Sequence, residues 1–165
     1  MPFIIQWVDS VSGTQELISL NTPAGKLILS IRQDVITNAD WAQVYGLEPS
    51  GEHQIQQNLE YYWTNPDIAI PVKLLRQGSA YRQLVWAALC QIPIGETMSY
   101  SALAKTIASA ARAVGNACKD NPYPLFIPCH RIISASGMGG YCGQTEGEFM
   151  AIKRLLLAYE AAFKK

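Results

Sequence analysis

Three prolines within residues 121–133, NPYPLFIPCHRII, constrain this chain more than any other feature. Proline fixes φ and lacks a backbone N–H, and the residue before it avoids the helical region. Asn121-Pro122-Tyr123-Pro124 therefore stops any helix, and Pro128 interrupts the apolar run over 125–133. The flanking pattern is helical. Ser79 is placed to cap a helix over 80–91, with Leu84, Val85, Ala88 and Leu89 facing inward. Ser99 is placed to cap a second helix over 100–107, and a third follows over 110–119. Two short helices joined by a tight turn suggest a helix-turn-helix. Residues 149–163, FMAIKRLLLAYEAAF, form a last amphipathic helix.

The first half reads differently. Residues 14–31 read as two strands around Thr22-Pro23-Ala24-Gly25, with Leu27, Leu29 and Ile31 alternating with Lys26, Ile28 and Ser30. Residues 3–8 read as another strand. Residues 52–64 place Ile55, Leu59, Tyr62 and Trp63 at helical spacing, and Asn65-Pro66 ends that helix. Residues 66–78 carry Pro66, Pro71 and Gly78 and read as a linker. The expected class is α+β, with a small N-terminal α+β domain and its linker over 1–75 and a mainly helical C-terminal domain over 76–165.

A chain of 165 residues with 49% apolar and 16% charged residues can bury a core and is not disordered. Net charge is zero, which excludes a strongly basic nucleic-acid coat. The charge is unevenly spread: residues 1–75 hold 3 basic and 8 acidic side chains, and residues 76–165 hold 10 and 5. A polyanion would prefer the second half, although chance segregation gives the same offset. No apolar run reaches the ~18 residues of a membrane helix. The N-terminus has no signal-peptide pattern, so a cytoplasmic protein is expected, nucleoid-associated if bacterial.

The cysteines are Cys90, Cys118, Cys129 and Cys142, with no Cys-x-x-Cys, so no metal site is expected. In the cytosol they are reduced, and two are expected to serve packing. Cys129 is followed by His130. A thiolate is the nucleophile, and an adjacent imidazole can take the thiol proton, directly or through a water. A third group must fix the imidazole tautomer, and Glu160 on the last helix is the best candidate. An isolated Pro-Cys-His is also an ordinary turn.

Wider context separates these readings. Residues 92–160 carry an ordered set of motifs: Ile92-Pro93-Ile94-Gly95-Glu96-Thr97 before Ser99-Tyr100, then Arg112-Ala113-Val114-Gly115-Asn116-Ala117, Asn121-Pro122, Ile127-Pro128-Cys129-His130-Arg131, Gly139-Gly140-Tyr141, and Lys153 to Glu160. This set resembles the O6-alkylguanine-DNA alkyltransferases, the methylated-DNA–protein-cysteine methyltransferases. The resemblance implies an N-terminal domain with a ribonuclease-H-like sheet. It also implies repair of double-stranded DNA by irreversible transfer of an alkyl group from O6 of guanine to the protein's own cysteine, with O4-alkylthymine left open. No cofactor or metal is implied, and a monomer is expected.

The same resemblance distributes roles. Cys129 is the acceptor, His130 the water-linked base, Glu160 its orienting carboxylate, and Asn121 the brace of the active-site turn. Tyr100 meets the flipped base and its phosphate. Arg112 is the finger that fills the gap in the duplex, Ala113 and Gly115 allow close approach to DNA, and Lys119 faces phosphate. Tyr141, Cys142 and Gly143 line the base and alkyl pocket, and Pro124 and Ile133 supply either apolar surface there or ordinary packing.

The chain departs from the family pattern in three places. Thr106-Ile107-Ala108-Ser109 replaces a longer turn that usually holds Gly-x-Pro. Residues 144–148, QTEGE, are inserted beside the expected pocket, and Cys142 is an additional thiol there. Two rival readings remain: a lesion-binding alkyltransferase-like protein, against which Cys129 argues, and a cysteine hydrolase, which leaves the Arg112 and Tyr100 blocks unexplained.

Overall fold

The Thr22–Gly25 turn sets the register of the first half. Thr22 Oγ1 accepts the Ala24 N–H at 3.1 Å and donates to the Gly25 carbonyl at 2.6 Å. Gly25 takes φ 130°, a conformation open to a residue without a side chain. The turn joins β2 (Gln15–Thr22) to β3 (Gly25–Arg32), which pair antiparallel. The other strands are β1 (Phe3–Val8), β4 (Val35–Trp41) and β5 (Ile70–Leu75). Sheet order is β1-β5-β4-β3-β2, with β5 parallel to both its neighbours. Helix α1 (Gln54–Thr64) packs against β2 and β5. The computed structural model describes residues 3–42, 54–64, 69–143 and 145–163.

Two expectations for this half need correction. The stretch read as a linker contains β5, whose Ile70, Val72 and Leu74 are buried. Pro71 is tolerated because it pairs only beside Ile4 of β1, while the β4 ladder begins at Lys73. On β3, Ile28 is buried along with Leu27, Leu29 and Ile31, because an inner strand is covered on both faces there. The expected helix end at Asn65-Pro66 and the side chains of Ile55 and Tyr62 lie outside the described residues.

The chain divides into units at residues 1–77 and 78–165. The second unit begins with α2 (Ala80–Leu89), capped by Ser79, whose hydroxyl accepts the Arg82 N–H at 3.1 Å. Its inward face is Val85, Trp86 and Leu89, whereas Leu84 is 49% exposed and points away. The short strand β6 (Met98–Ser99) leads into α3 (Tyr100–Thr106), capped by the Ser99 hydroxyl on Ala102 N–H at 3.0 Å. Then come α4 (Ala111–Lys119), a 3₁₀ turn (Cys129–Arg131), β7 (Ile132–Ile133) and α5 (Glu148–Ala161). β6 and β7 pair in parallel, which ties the start of α3 to the segment that follows Cys129. No described helix is long and apolar enough to cross a membrane. The mixed α+β class is as expected, and the sheet has five strands.

The α3–α4 turn over 106–109 closes without a glycine. Ala108 adopts φ 53°, and the Ser109 N–H reaches back to the Ala104 carbonyl at 2.8 Å. This is a left-handed helix end built on alanine. Helix α2 supports α4 at three levels. Tyr81 and Ser109 hydroxyls lie 2.6 Å apart, Trp86 Nε1 donates to the Ala117 carbonyl at 2.9 Å, and Arg82 pairs with Asp120. Left-handed backbone costs a non-glycine residue about 1–2 kcal/mol, while glycine loses about 0.5–1 kcal/mol of chain entropy. Ala108→Gly should therefore stabilise the protein by about 0.5–1 kcal/mol in urea denaturation. A lowered midpoint would show that the turn is not strained.

Candidate active site

The proline-rich segment forms a tight turn whose backbone is bonded to itself: Cys129 N–H to the Ile127 carbonyl at 2.8 Å, and Arg131 N–H to Pro128 at 3.0 Å. Asn121 locks it from outside. Its amide nitrogen donates to the Ile127 carbonyl at 3.0 Å and to Cys129 Sγ at 3.2 Å, and its oxygen accepts the Tyr123 N–H at 2.9 Å. One side chain thus fixes both the turn and the sulfur.

Behind the turn lies a buried ionic knot. His130 is 0% exposed and Glu160 1%. His130 Nε2 lies 2.6 Å from Glu160 Oε1. Arg131 Nε contacts both carboxylate oxygens at 2.8 and 3.0 Å, and Nη2 reaches Oε1 at 2.7 Å. Arg131 Nη1 donates to the Ile92 carbonyl at 2.8 Å. Burial opposes ionisation of Glu160, but His130 and then Arg131 hold its carboxyl down to about 2. Burial lowers the His130 pKa, so the imidazole is neutral and Arg131 balances Glu160. His130 Nδ1 is buried with no hydrogen-bond partner among the described residues.

Lys153, two turns before Glu160 on α5, was not singled out from the sequence, although it stands in the matched motif. Its Nζ donates to the Ile132, Met138 and Gly140 carbonyls at 2.6, 2.6 and 2.9 Å. Burial lowers its pKa to about 8, against the attraction of the Cys129, Cys118 and Cys142 thiols. Burial pushes the Cys129 thiol up to about 11, with the Asn121 bond and Lys153 pulling the other way.

Cys129 opens onto a cavity of about 190 Å³. Tyr100, Gly115, Cys118 and Lys119 line it from the α3–α4 side, and Gly140, Tyr141, Cys142, Gly143 and Thr145 line the other. Tyr100 bonds the Gly140 backbone, and burial raises its phenol pKa. Gly139, at φ 72°, is needed here: a Cβ would lie 3.0 Å from the Tyr100 ring and 3.1 Å from Ser134 N. Cys118, buried on α4, is part of the cavity wall as well as the core. Pro124 and Ile133, read from the sequence as pocket surface or ordinary packing, are not among the residues that line the cavity. Pro124 is buried in the loop, and Ile133 is engaged in the β6–β7 ladder. Arg112 is exposed and Ala113 half-buried near the start of α4, outside the cavity wall. Among the described residues no cluster of His, Cys, Asp and Glu is placed to hold a metal.

Fold and site together define a protein that presents one braced thiol, backed by a buried imidazole–carboxylate pair, beneath a small cavity. Comparison with known proteins gives that class its family. Residues 80–162 match the family described as 6-O-methylguanine DNA methyltransferase, DNA binding domain. The constitutive methylated-DNA–protein-cysteine methyltransferase of Bacillus subtilis is 36% identical over 155 residues, covering 84% of this chain and 91% of that protein. The crystal structure of the Mycobacterium tuberculosis O6-methylguanine methyltransferase superposes with TM-score 0.73 at 32% identity, covering 92% of this chain and 96% of that one. The structure of Mycobacterium tuberculosis OGT in complex with DNA gives 0.71 at 35% identity, covering 88% and 93%. The chain belongs to the O6-methylguanine-DNA methyltransferase family.

Two measurements check the electrostatics. Alkylation of Cys129 by iodoacetamide without DNA should rise with pH through 9, because a thiol raised to about 11 is protonated below that value. A plateau below pH 8 would contradict the burial argument. Glu160→Gln leaves Arg131 buried without its counter-ion and should cost about 3–5 kcal/mol of stability in chemical denaturation. A loss within error of zero would show that the knot is not structural.

Proposed function

We infer that this protein repairs alkylated double-stranded DNA by direct reversal, moving the alkyl group from O6 of guanine to Cys129 in a single irreversible event. The observation that carries this is Cys129 Sγ, held by Asn121 at 3.2 Å on the wall of a cavity. The buried His130–Glu160 pair stands behind it. In the proposed step the Cys129 proton passes to His130 Nδ1 through a bridging water. The sulfur bonds to the alkyl carbon, the carbon–O6 bond breaks, and its electron pair stays on the guanine, which takes up a proton. Lys153 stabilises the negative charge that develops on sulfur. Tyr100 and the backbone N–H groups of 141–143 face the base. The thioether does not leave, so each molecule acts once.

A base inside the duplex cannot reach this sulfur, so it must be flipped out at a cost of a few kcal/mol. We assign α3 and α4 as a helix-turn-helix that enters the minor groove. Ala113 and Gly115 provide close approach to the backbone, and Arg112 fills the vacated space. Residues 76–165 are the DNA-binding and acceptor domain. Residues 1–75 are the family's ribonuclease-H-like domain. The protein acts as a monomer in the cytoplasm.

Incubation with O6-methylguanine duplex should add one methyl per molecule, on Cys129, by intact mass and peptide mapping. Cys129→Ser should add none while still binding the duplex. Catalytic turnover would favour the hydrolase reading, and tight binding without transfer the lesion-binding reading. Arg112→Ala should slow duplex repair at least about tenfold more than reaction with free O6-benzylguanine, since only the duplex requires the base to be held out. Equal slowing would remove the finger role.

A further inference from the structure

Among the described residues, the cavity beside Cys129 has one ionic side chain on its wall, Lys119, at the last turn of α4. Its stem lies across the opposite loop. A Cβ built on Gly143 would meet Lys119 Cγ and Cε, each at 3.3 Å, and Cδ at 3.7 Å. The methylenes therefore close one side of the cavity against a bare glycine, and Lys119 as a whole is solvent-exposed, which leaves its ammonium accessible. Among the described residues that ammonium has no hydrogen-bond or ion-pair partner. No described carboxylate lines the cavity. The deeper ammonium, Lys153, is committed to three carbonyls and cannot serve an incoming group.

Resting on the alkyl-transfer reading above, we propose that Lys119 makes this cavity an acceptor site for O6-alkyl groups that end in a carboxylate, carboxymethyl being the smallest. The sulfur bonds to the methylene, the carbon–O6 bond breaks with its electron pair left on guanine, and the carboxylate stays on the new thioether. Lys119 neutralises that carboxylate as it leaves water for the cavity. An uncharged alkyl group gains nothing from the lysine.

Single-turnover transfer is measured on two duplexes of one sequence, bearing O6-carboxymethylguanine or its uncharged isostere O6-carbamoylmethylguanine. Phosphate contacts and size are common to both, so the rate ratio isolates the terminal charge. Lys119→Gln should lower the carboxymethyl-to-carbamoylmethyl ratio about tenfold, the scale of one charge-assisted contact. Lys119→Arg should retain most of the ratio, and added salt should lower it in the native protein. An unchanged ratio in Lys119→Gln, with both lesions slowed alike, would show that the lysine serves only phosphate and would overturn the proposal. Failure of the native protein to transfer methyl from O6-methylguanine would instead overturn the underlying reading.

Discussion

One carboxylate organises the active half of the molecule. Glu160, 1% exposed, receives His130 from one side and the Arg131 fork from the other. Three consecutive residues, Cys129 to Arg131, form a single 3₁₀ turn, so fixing two of them fixes the third. The knot is electrically balanced because burial keeps His130 neutral while Arg131 offsets Glu160. A buried charge without a partner would cost several kcal/mol, and the arrangement avoids that while orienting an imidazole.

The remaining supports hold the cavity around that turn. Lys153 gathers carbonyls from Ile132, Met138 and Gly140, drawing the glycine-containing loop onto α5. Asn121 does the same for the turn and the sulfur. Among the described residues of this unit, left-handed backbone is accepted at three non-glycine positions, Ala108, Leu125 and Cys142, at φ 53°, 84° and 50°. Ala108 shapes the entry to α4, and Cys142 shapes the wall facing the thiol.

Much of this was legible from residue order. Serine caps and the proline stops located the helices of the second half closely, because capping and proline exclusion are local. The Cys129, His130 and Glu160 grouping was legible through its motifs. Lys153 was not, because a lysine in an amphipathic helix reads as solvated, and its three acceptors come from turns distant in sequence. Strand β5 was hidden by Pro71, which only the pairing pattern excuses. Strand β4 was missed because Thr37, Asn38 and Asp40 break its apolar alternation. For Pro124 and Ile133 the sequence does not separate pocket surface from packing, because loop burial and the β6–β7 ladder that occupy them depend on tertiary pairing.

The central proposal is that a neutral imidazole, held by Glu160 through Nε2, takes the Cys129 proton at Nδ1 through a bridging water. The chain has 2 histidines, so nitrogen-15 spectra of the labelled imidazoles are simple to assign. Between about pH 6 and 8, where an ordinary histidine titrates, His130 should remain the uncharged Nε2–H tautomer. An imidazolium across that range, or a proton resident on Nδ1, would leave the thiol without its base and contradict the account.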